Sequence, residues 1–396
     1  MRLMIRTFLF TVLLAFGFIE SKAQDSAMLP LPTYKVAVFS PMYLDSVFSG
    51  TTYRLGKNVP KFALPGLEFA EGARIAFDSM AVLNGNIQAS IFDSKSSGMP
   101  VSRLLASGQL NDYKLIIGNV RDAEYTQLAQ FAKDHRIPFI SAVLPNDGGV
   151  TDNPYLAINN PTLRGHCEAI YSYLLTTNSA SNILLVRRAG AQEDKVEEYF
   201  RSMNNPDGTN LLKIKTIRID NDLTKINYEL DSTKNNVVIG GSLNTQFASA
   251  LAEQCSRLNT NYPIMLIGMP NWDAMPIFRS KDKLQDFPVY FTTPYYNNEY
   301  DGTSKRIQTA YKRKMKVAPT DLVYKGFELA YVYARLLSLY PNNFMEHMND
   351  YSYKIFTDFN FKPVYLDKVL DGTPDYYENK RLYLMKVLNG ITSKVW

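Results

Sequence analysis

The sequence has little of the chemistry that catalysis and metal binding require. Only two cysteines, Cys167 and Cys255, and three histidines, His135, His166 and His347, occur in 396 residues. No histidine has a second ligand at a metal-binding spacing, and neither a G-x-S-x-G nor a G-x-x-x-x-G-K-S/T motif is present. We therefore expect a chain that is not an enzyme, with no metal site and no cofactor.

The scarcity of cysteine leaves the pairing of Cys167 and Cys255 open. In an exported protein the two residues can form a disulfide. Each also lies in a helical pattern beside apolar residues, which fits two buried free thiols equally well. A chain of this length does not need a disulfide to be stable.

Neither sign of charge is in large excess. The chain has 43 Lys and Arg against 38 Asp and Glu, a net charge of +5. This balance gives no basis for binding nucleic acid, so we expect none. One basic cluster stands out, and we interpret it as the solvated face of a helix. It consists of Lys305, Arg306, Lys312, Arg313, Lys314 and Lys316.

After the N-terminal segment, no stretch of the chain approaches the ~18 apolar residues that a membrane span needs. At the N-terminus, Arg2 and Arg6 precede an apolar stretch at 8–19, and Ser21-Lys22-Ala23 puts small residues where a signal peptidase reads them. We predict a signal peptide cleaved after Ala23 and a periplasmic location. The alternative is an N-terminal membrane anchor. No cysteine directly follows the apolar stretch, which argues against a lipoprotein.

Apolar residues make up 46% of the chain, and they follow an alternating pattern. Strand-like runs at 34–39, 87–92, 115–117 and 138–141 alternate with helix-like segments at 67–80 and 121–135. A Pro/Gly-rich break at 144–161 precedes a second round with strand-like runs at 183–186, 214–219, 236–239, 263–267 and 289–292. This order predicts an α/β fold with two doubly wound parallel-sheet lobes.

We expect the lobes to be interleaved along the chain. The signal peptide covers 1–23, lobe 1 covers 24–150 and 300–345, lobe 2 covers 151–299, and 346–396 is a C-terminal segment that returns across the hinge. Helices at 303–317 and 322–339 follow the second round without intervening strands, which is why they are assigned to lobe 1. Two such lobes form a crevice at the carboxyl ends of their strands.

This order of segments resembles the type I periplasmic binding proteins, in the Leu/Ile/Val-binding-like branch of ABC transporter substrate-binding proteins. The resemblance rests on YKVAVFSPM (34–42), KLIIGNV (114–120), RIPFISAV (136–143), NVVIGGS (236–242) and YPIMLIGMPNWD (262–273). It implies two lobes that clamp a small-molecule ligand, three hinge crossings, here near 145–160, 293–300 and 345–360, and a membrane permease as partner.

The loops after the third and fourth strands, which hold the ligand in that family, differ in this chain. Amino-acid-binding members often have Ser-Pro-Ser/Ala-Ala-Thr after the fourth strand, whereas this chain has Ser141-Ala142-Val143-Leu144-Pro145. Proline has neither an N–H nor a hydroxyl, so two hydrogen-bond donors are lost. Asp122 follows the third strand and opposes a carboxylate. We therefore expect a polar ligand that is not a plain aliphatic α-amino acid.

Candidate ligand contacts are the residues at predicted strand ends that face the crevice: Asn119, Ser141, Arg188, Ser242, Asn244 and Trp272. The arginine suits a carboxylate or phosphate, Ser242 and Asn244 precede a helix N-terminus that favours an anion, and the tryptophan suits a ring. Each has an alternative role in a turn or in packing between the lobes.

Two functions fit these features. The first is an exported, monomeric solute-binding protein that clamps a small polar ligand between two lobes, for uptake or sensing. The second is a non-catalytic envelope interaction module, whose binding-protein cleft is degenerate and whose surface contacts an envelope protein. Thermal stabilisation by a ligand separates the first from the second.

Overall fold

Runs of β-branched and aromatic residues form two seven-stranded sheets in the computed structural model, which describes residues 32–56, 58–81, 86–219, 222–280, 282–366 and 372–396. The predicted signal peptide and its cleavage site lie outside these residues. The strands are β1 Tyr34–Ser40, β2 Phe48–Ser49, β3 Thr52–Tyr53, β4 Ile87–Asp93, β5 Tyr113–Gly118, β6 Phe139–Ser141, β7 Leu156–Ile158, β8 Asn182–Arg187, β9 Ile214–Arg218, β10 Asn236–Gly240, β11 Ile264–Ile267, β12 Val289–Thr293, β13 Phe361–Val364, β14 Tyr376–Asn379, β15 Tyr383–Leu388 and β16 Ile391–Lys394.

Helices cover both sheets. The α-helices are α1 Leu44–Val47, α2 Leu64–Ala81, α3 Val101–Ala106, α4 Asp122–His135, α5 Leu163–Thr177, α6 Ala191–Asn204, α7 Thr245–Leu258, α8 Pro276–Arg279, α9 Gly302–Met315 and α10 Asp321–Leu339. Short 3-10 helices lie at Leu223–Tyr228, Pro270–Ala274, Phe344–His347 and Tyr351–Tyr353.

The two sheets share one design. The first has the order β13-β14-β7-β6-β5-β1-β4, and the second has the order β16-β15-β12-β11-β10-β8-β9. Within these two sheets all pairs are parallel except β13–β14, β12–β15 and β15–β16, which are antiparallel. Strands β2 and β3 form a separate two-stranded antiparallel sheet. We call each sheet with the helices packed on it a lobe. The predicted α/β class with two lobes of predominantly parallel sheet is confirmed.

Both faces of each sheet are buried, as the sequence pattern predicts for parallel sheets. In β1, Val36 and Val38 contact a core formed with α2, α9 and α10, while Ala37 and Phe39 contact a second core formed with α3 and α4. In the second lobe, consecutive residues 183–186 of β8 are all buried in one core shared with α5, α6 and α7.

The chain passes between the lobes three times, and strand pairing corrects where it does so. The first passage follows β7, which pairs with β6 in the first sheet, although the sequence placed 151–299 in lobe 2. The second passage follows β12. The third lies between β14 and β15, later than the predicted 345–360, because β13 and β14 still belong to the first sheet and only β15 and β16 join the second.

Glycine permits the closest helix contact in the first lobe. Helix α2 crosses α10 so tightly that a methyl group on Gly72 would lie 2.0 Å from the Val323 carbonyl oxygen. On the facing helix, a methyl group on Gly326 would lie 2.2 Å from the Phe69 carbonyl oxygen. The two backbones therefore touch directly, and only glycine fits at either position.

In the second lobe, glycine makes room for a ring instead. Trp272 is fully buried and stacks on Phe278, with ring centroids 5.1 Å apart. Its indole lies against the ends of β10 and β11. A methyl group on Gly268 would lie 1.9 Å from the ring, and one on Gly240 would lie 2.7 Å from it.

The two cysteines are free thiols in the core of the second lobe, Cys167 on α5 and Cys255 on α7. Burial raises the pKa of Cys255 to about 12 and also raises that of Cys167. Of the two alternatives that the sequence left open, the structure has the unpaired one.

No helix in the described part of the chain has the length and hydropathy that crossing a bilayer requires.

Candidate functional site

A cleft of ≈ 830 Å³ lies where the carboxyl ends of strands from both sheets meet. The first lobe contributes loop residues after β6 and β7 and one side chain of α10. The second lobe contributes the start of α5, the side of α6 from Ala191 to Tyr199, the end of β12 and residues that follow β10 and β11. The lining includes Pro145, Asn146, Asp147, Asn160, Pro161, Thr162, Arg164, His166, Lys195, Tyr199, Asn271, Asp273, Thr292, Thr293, Pro294 and Lys325. Residues of both lobes and of two interlobe passages therefore surround one space.

Lys325 is the cation that the first lobe brings to the cleft. It lies on α10, partly buried among apolar neighbours, with its ammonium group 4.8 Å from the centroid of the Tyr295 ring. Burial lowers its pKa, and the carboxylates of Asp321, Asp273 and Glu328 act in the opposite direction. No carboxylate of the described residues lies within 4 Å of its nitrogen. A partly buried cation without a salt bridge favours an anionic ligand group.

Lys195 is its counterpart on the second lobe. It lies on α6 and is exposed at the cleft, and none of the described carboxylates pairs with it. Arg164 also lines the cleft, but its guanidinium donates to Glu168 at 3.1 Å. The two lysines therefore supply the unpaired positive charge of this space, one from each lobe.

His166 is a neutral hydrogen-bonding group in the wall of the cleft. It is buried, and its Nδ1 lies 2.8 Å from the Thr292 hydroxyl oxygen. Burial lowers its pKa from 6.5 to about 3, so the imidazole carries no charge at neutral pH. This hydrogen bond joins α5 to the end of β12 within the second lobe, next to the points where two of the interlobe passages enter and leave it.

The acidic side chains of the cleft already have partners. Asp147 accepts hydrogen bonds from the Tyr376 hydroxyl at 3.2 Å and from the Gly149 amide at 2.9 Å. Asp273 forms a salt bridge of 2.9 Å with Arg279. The lining has three cationic side chains, Arg164, Lys195 and Lys325, against these two carboxylates, so the space favours negative charge.

A smaller cavity of ≈ 160 Å³ adjoins the cleft, and Asn160, Pro294 and Lys325 line both. At its wall, Glu328 is fully buried on α10. Its carboxylate accepts from the amides of Phe356 and Thr357, at 2.8 and 2.7 Å, and from the Thr357 hydroxyl at 2.9 Å. Burial raises the pKa of Glu328. These bonds fasten the helix that carries Lys325 to the segment before β13.

The structure places none of the six sequence-predicted residues on the cleft lining. In the first lobe, Asn119 is buried after β5, and its side-chain amide donates to the Ser40 hydroxyl at 3.2 Å. Ser141 is fully buried at the end of β6, where its carbonyl accepts from the Asn159 amide at 2.9 Å. Both lie at the strand ends, as predicted; Asn119 bonds within the lobe through its side chain, and Ser141 does so through its backbone carbonyl.

Of the four predicted residues of the second lobe, Ser242, Asn244 and Trp272 use their side chains in structural contacts, whereas Arg188 is bonded through its backbone. Ser242 donates to Glu193 at 2.6 Å, and Asn244 caps α7 by accepting from the Phe247 amide at 2.8 Å. Trp272 fills the core. The Arg188 carbonyl accepts from the Arg187 side chain at 3.0 Å. Ligand contact by any of the six stays a prediction.

Lys325 is the residue that reasoning from the sequence missed. Segment 323–337 reads VYKGFELAYVYARLL, in which Lys325 and Glu328 interrupt a largely apolar run that continues to Arg335. Two opposite charges three residues apart in such a run are a usable signal, since charged groups are rarely buried without a partner. The described residues bring no three His, Cys, Asp or Glu side chains together in a group that could hold a metal ion.

Comparison with known proteins gives one family. The family model described as periplasmic binding protein matches residues 61–368. A search of curated proteins gave no match.

Solved structures of similar fold cover nearly the whole chain. An ABC transporter substrate-binding protein from Desulfitobacterium hafniense, in complex with Leu, aligns with a TM-score of 0.56 at 13% identity over 92% of this chain and 100% of its own. A putative branched-chain amino acid ABC transporter protein from Rhodospirillum rubrum gives 0.65 at 9% identity over 92% and 100%. LivJ from Streptococcus pneumoniae, in complex with isoleucine, gives 0.51 at 14% identity over 92% and 99%. These likenesses establish the fold.

Proposed function

The chain belongs to the periplasmic binding protein family, and from that premise we propose that it is an exported solute-binding protein that clamps a small polar, anionic ligand between its two lobes. In this proposal it delivers the ligand to a membrane permease or sensor and carries out no catalysis. Its three interlobe passages, at 159–162, 294–301 and 380–382, act as the hinge.

The observation that carries the proposal is the pair of unpaired lysines on opposite sides of the cleft. Lys325 comes from the first lobe and Lys195 from the second, and both line a space that has only two carboxylates, one of which, Asp273, is in a salt bridge with Arg279. The ≈ 830 Å³ of the cleft lies within the range of roughly 300–1,000 Å³ that ligand sites occupy. An anionic group held by both lysines would favour closure of the lobes, since it makes contacts that the open form lacks.

The ligand class follows from the cleft wall. Pro145 lines the cleft and offers no N–H, so a carboxylate gains no donor there. The solved relatives with Leu and with isoleucine bind aliphatic amino acids. We propose that this chain instead selects ligands with a carboxylate or phosphate and a polar body, for which Lys325, Lys195 and the neutral His166 supply contacts.

Titration calorimetry tests this proposal directly. The full mature chain is first screened by thermal shift with carboxylates and phosphates, then titrated with each compound that raises the melting temperature, and with leucine, isoleucine, valine and glutamate. We expect a hit to lose about tenfold or more in affinity in Lys325→Met, because a charge-assisted hydrogen bond contributes roughly 1.5–3 kcal/mol. The matched control is Lys114→Met, an exposed lysine of β5 outside the cleft, which should bind as wild type does.

Three outcomes would count against it. Micromolar binding of leucine, isoleucine or valine would contradict the ligand class. Equal affinity of the Lys325→Met and Lys114→Met variants would remove Lys325 from the site. No stabilisation by any compound would favour the second candidate function, an envelope interaction module with a degenerate cleft.

Export has its own test. We propose that the signal peptide is cleaved after Ala23 and that the mature protein lies in the periplasm. N-terminal sequencing of protein recovered from the periplasmic fraction should begin at Gln24. A chain that begins at Met1 and sediments with membranes would instead indicate an uncleaved anchor.

A further inference from the structure

A second open space lies on the first lobe, away from the cleft. It is a groove of ≈ 1030 Å³ between α2, α9, α10 and the turn after Tyr351–Tyr353. We call it the basic groove, and its lining is Ile75, Ser79, Thr303, Arg306, Ile307, Ala310, Phe327, Tyr331, Arg335, Ser352, Tyr353, Lys354 and Ile355. None of these residues lines the cleft, so the two sites are separate.

The floor of the basic groove is apolar and aromatic. Ile75, Ile307 and Phe327 are buried beneath it, and the rings of Phe327 and Tyr331 stack with centroids 5.7 Å apart and planes 9° apart. Four positions on three elements thus form a surface suited to an aliphatic or aromatic group.

The rim carries positive charge only. Three of the lining residues are cationic and none is acidic. Arg306 donates to the Thr303 hydroxyl at 2.8 Å, and the Arg335 guanidinium lies 5.9 Å from the centroid of the Tyr353 ring. Within the described residues, neither arginine has a carboxylate inside 4 Å. Lys354 is the exception, since it pairs with Asp358 at 2.6 Å. Two arginines are therefore available to an external anion.

The charge extends along α9 beyond the groove. Arg306, Ala310 and Arg313 lie on one helix face at spacings of four and three residues, and both arginines are exposed. Seven residues of helix separate the two arginines by about 10 Å. This stripe belongs to the basic cluster of the sequence, which the cleft does not use. Its length, added to the groove, exceeds what a single compact anion can contact.

We propose that the basic groove docks an acidic peptide segment of a partner protein. Its carboxylates would pair with Arg306, Arg335 and Arg313, and an aromatic or aliphatic side chain between them would pack on Phe327 and Tyr331. An extended segment of four residues spans roughly 13 Å, enough to reach from the groove along the stripe. Charge complementarity selects this occupant, because the lining offers an apolar floor and two arginines that have no carboxylate partner among the described residues.

Fluorescence anisotropy with a defined probe tests the proposal. The probe is the fluorescein-labelled peptide Glu-Glu-Phe-Glu-Glu-Phe-Glu-Glu, with the same peptide carrying Gln for Glu as reference. We expect saturable binding of the acidic peptide that weakens as salt is raised. The double variant Arg306→Ala/Arg335→Ala should lose at least about tenfold in affinity. Arg54→Ala/Arg121→Ala removes the same charge from exposed positions outside the groove and should bind as wild type does.

A second variant guards against misfolding. Arg306→Glu/Arg313→Glu changes two exposed side chains, so the fold should persist by circular dichroism while peptide binding is lost. Equal binding by all variants, or by the Gln peptide, would overturn the proposal. So would binding to phosphatidylglycerol vesicles that this variant loses, with no binding of the peptide, which would assign the groove to an anionic lipid surface.

Discussion

The two lobes share a similar strand order but use glycine for opposite purposes. In the first lobe, Gly72 and Gly326 let two helix backbones touch, with a Cβ-to-oxygen distance of only 2.0 Å at Gly72. In the second lobe, Gly240 and Gly268 leave space for the indole ring of Trp272. A carbonyl that is hydrogen-bonded within a helix cannot move without moving the helix, whereas a side chain can be replaced by a smaller one. We therefore expect that no second substitution rescues a larger residue at the first-lobe glycines, whereas a smaller residue at Trp272 can rescue one at the second-lobe glycines.

The largest expected effect is that of Gly72→Ala. The added methyl group meets the Val323 backbone, so α2 and α10 must separate, and we expect a loss of more than about 3 kcal/mol of unfolding free energy. Urea denaturation followed by far-ultraviolet circular dichroism measures this loss. Gly302→Ala is the control, since a methyl group there finds its nearest atom at 3.9 Å and should change stability little. Equal stability of the two variants would show that the close helix contact is not required.

A smaller effect is expected from Gly268→Ala, and this one should be reversible. The methyl group meets the Trp272 ring, which overpacks the core and costs about 1–3 kcal/mol. Trp272→Leu removes the ring and should recover part of that loss when combined with Gly268→Ala, giving a coupling of at least about 1 kcal/mol in a double-mutant cycle. If the two losses simply add, the ring and the glycine do not interact, and the contrast between the lobes fails.

Acid should weaken the second lobe through His166. Its pKa is 6.5 when exposed and about 3 when buried in the fold. Between these values the unfolded chain binds the proton and the folded chain does not, so stability falls as the pH falls. The loss from pH 7 to pH 5 is about 2 kcal/mol. His166→Asn keeps a polar atom facing Thr292 without the titration and should flatten this dependence. An unchanged pH dependence in the variant would mean that His166 is not the group responsible.

Tryptophan fluorescence can measure this loss of stability at acid pH in the second lobe separately from the first. Trp272 fills its core, and Trp396 packs on Tyr173 of α5 with ring centroids 5.9 Å apart. Because the sequence has only these two tryptophans, emission at pH 5 reports on the second lobe, while circular dichroism reports on both.

The fold could be predicted well wherever strands are long and apolar. The runs at 34–39, 183–186 and 236–239 are β-branched and buried on both faces, so pattern alone identifies them. Strands β7 and β14 were missed. The first is three residues long inside a Pro/Gly-rich stretch, and the second reads YYEN within a polar turn. Both are held by pairing with each other, a long-range contact that local pattern does not contain.

The site was harder to predict because the expectation that polar residues at strand ends face the crevice also selects residues with a structural role. Polar side chains at strand ends either meet a ligand or cap the next helix, and Asn244 does the latter. Lys325 lies within a helix, so a search restricted to strand ends does not include it. Its role depends on how α10 crosses the first sheet beside the interlobe passage, which only the assembled fold reveals.

The late position of β13 to β16 bears on how the chain is made. Tyr377 pairs with Ala157, and Phe291 pairs with Met385, so each sheet receives its final strands from residues beyond 360. A nascent chain shorter than this leaves β7 and β12 with open edges. Neither lobe can then finish folding during synthesis. Completion of both sheets therefore waits for the last strands of the chain.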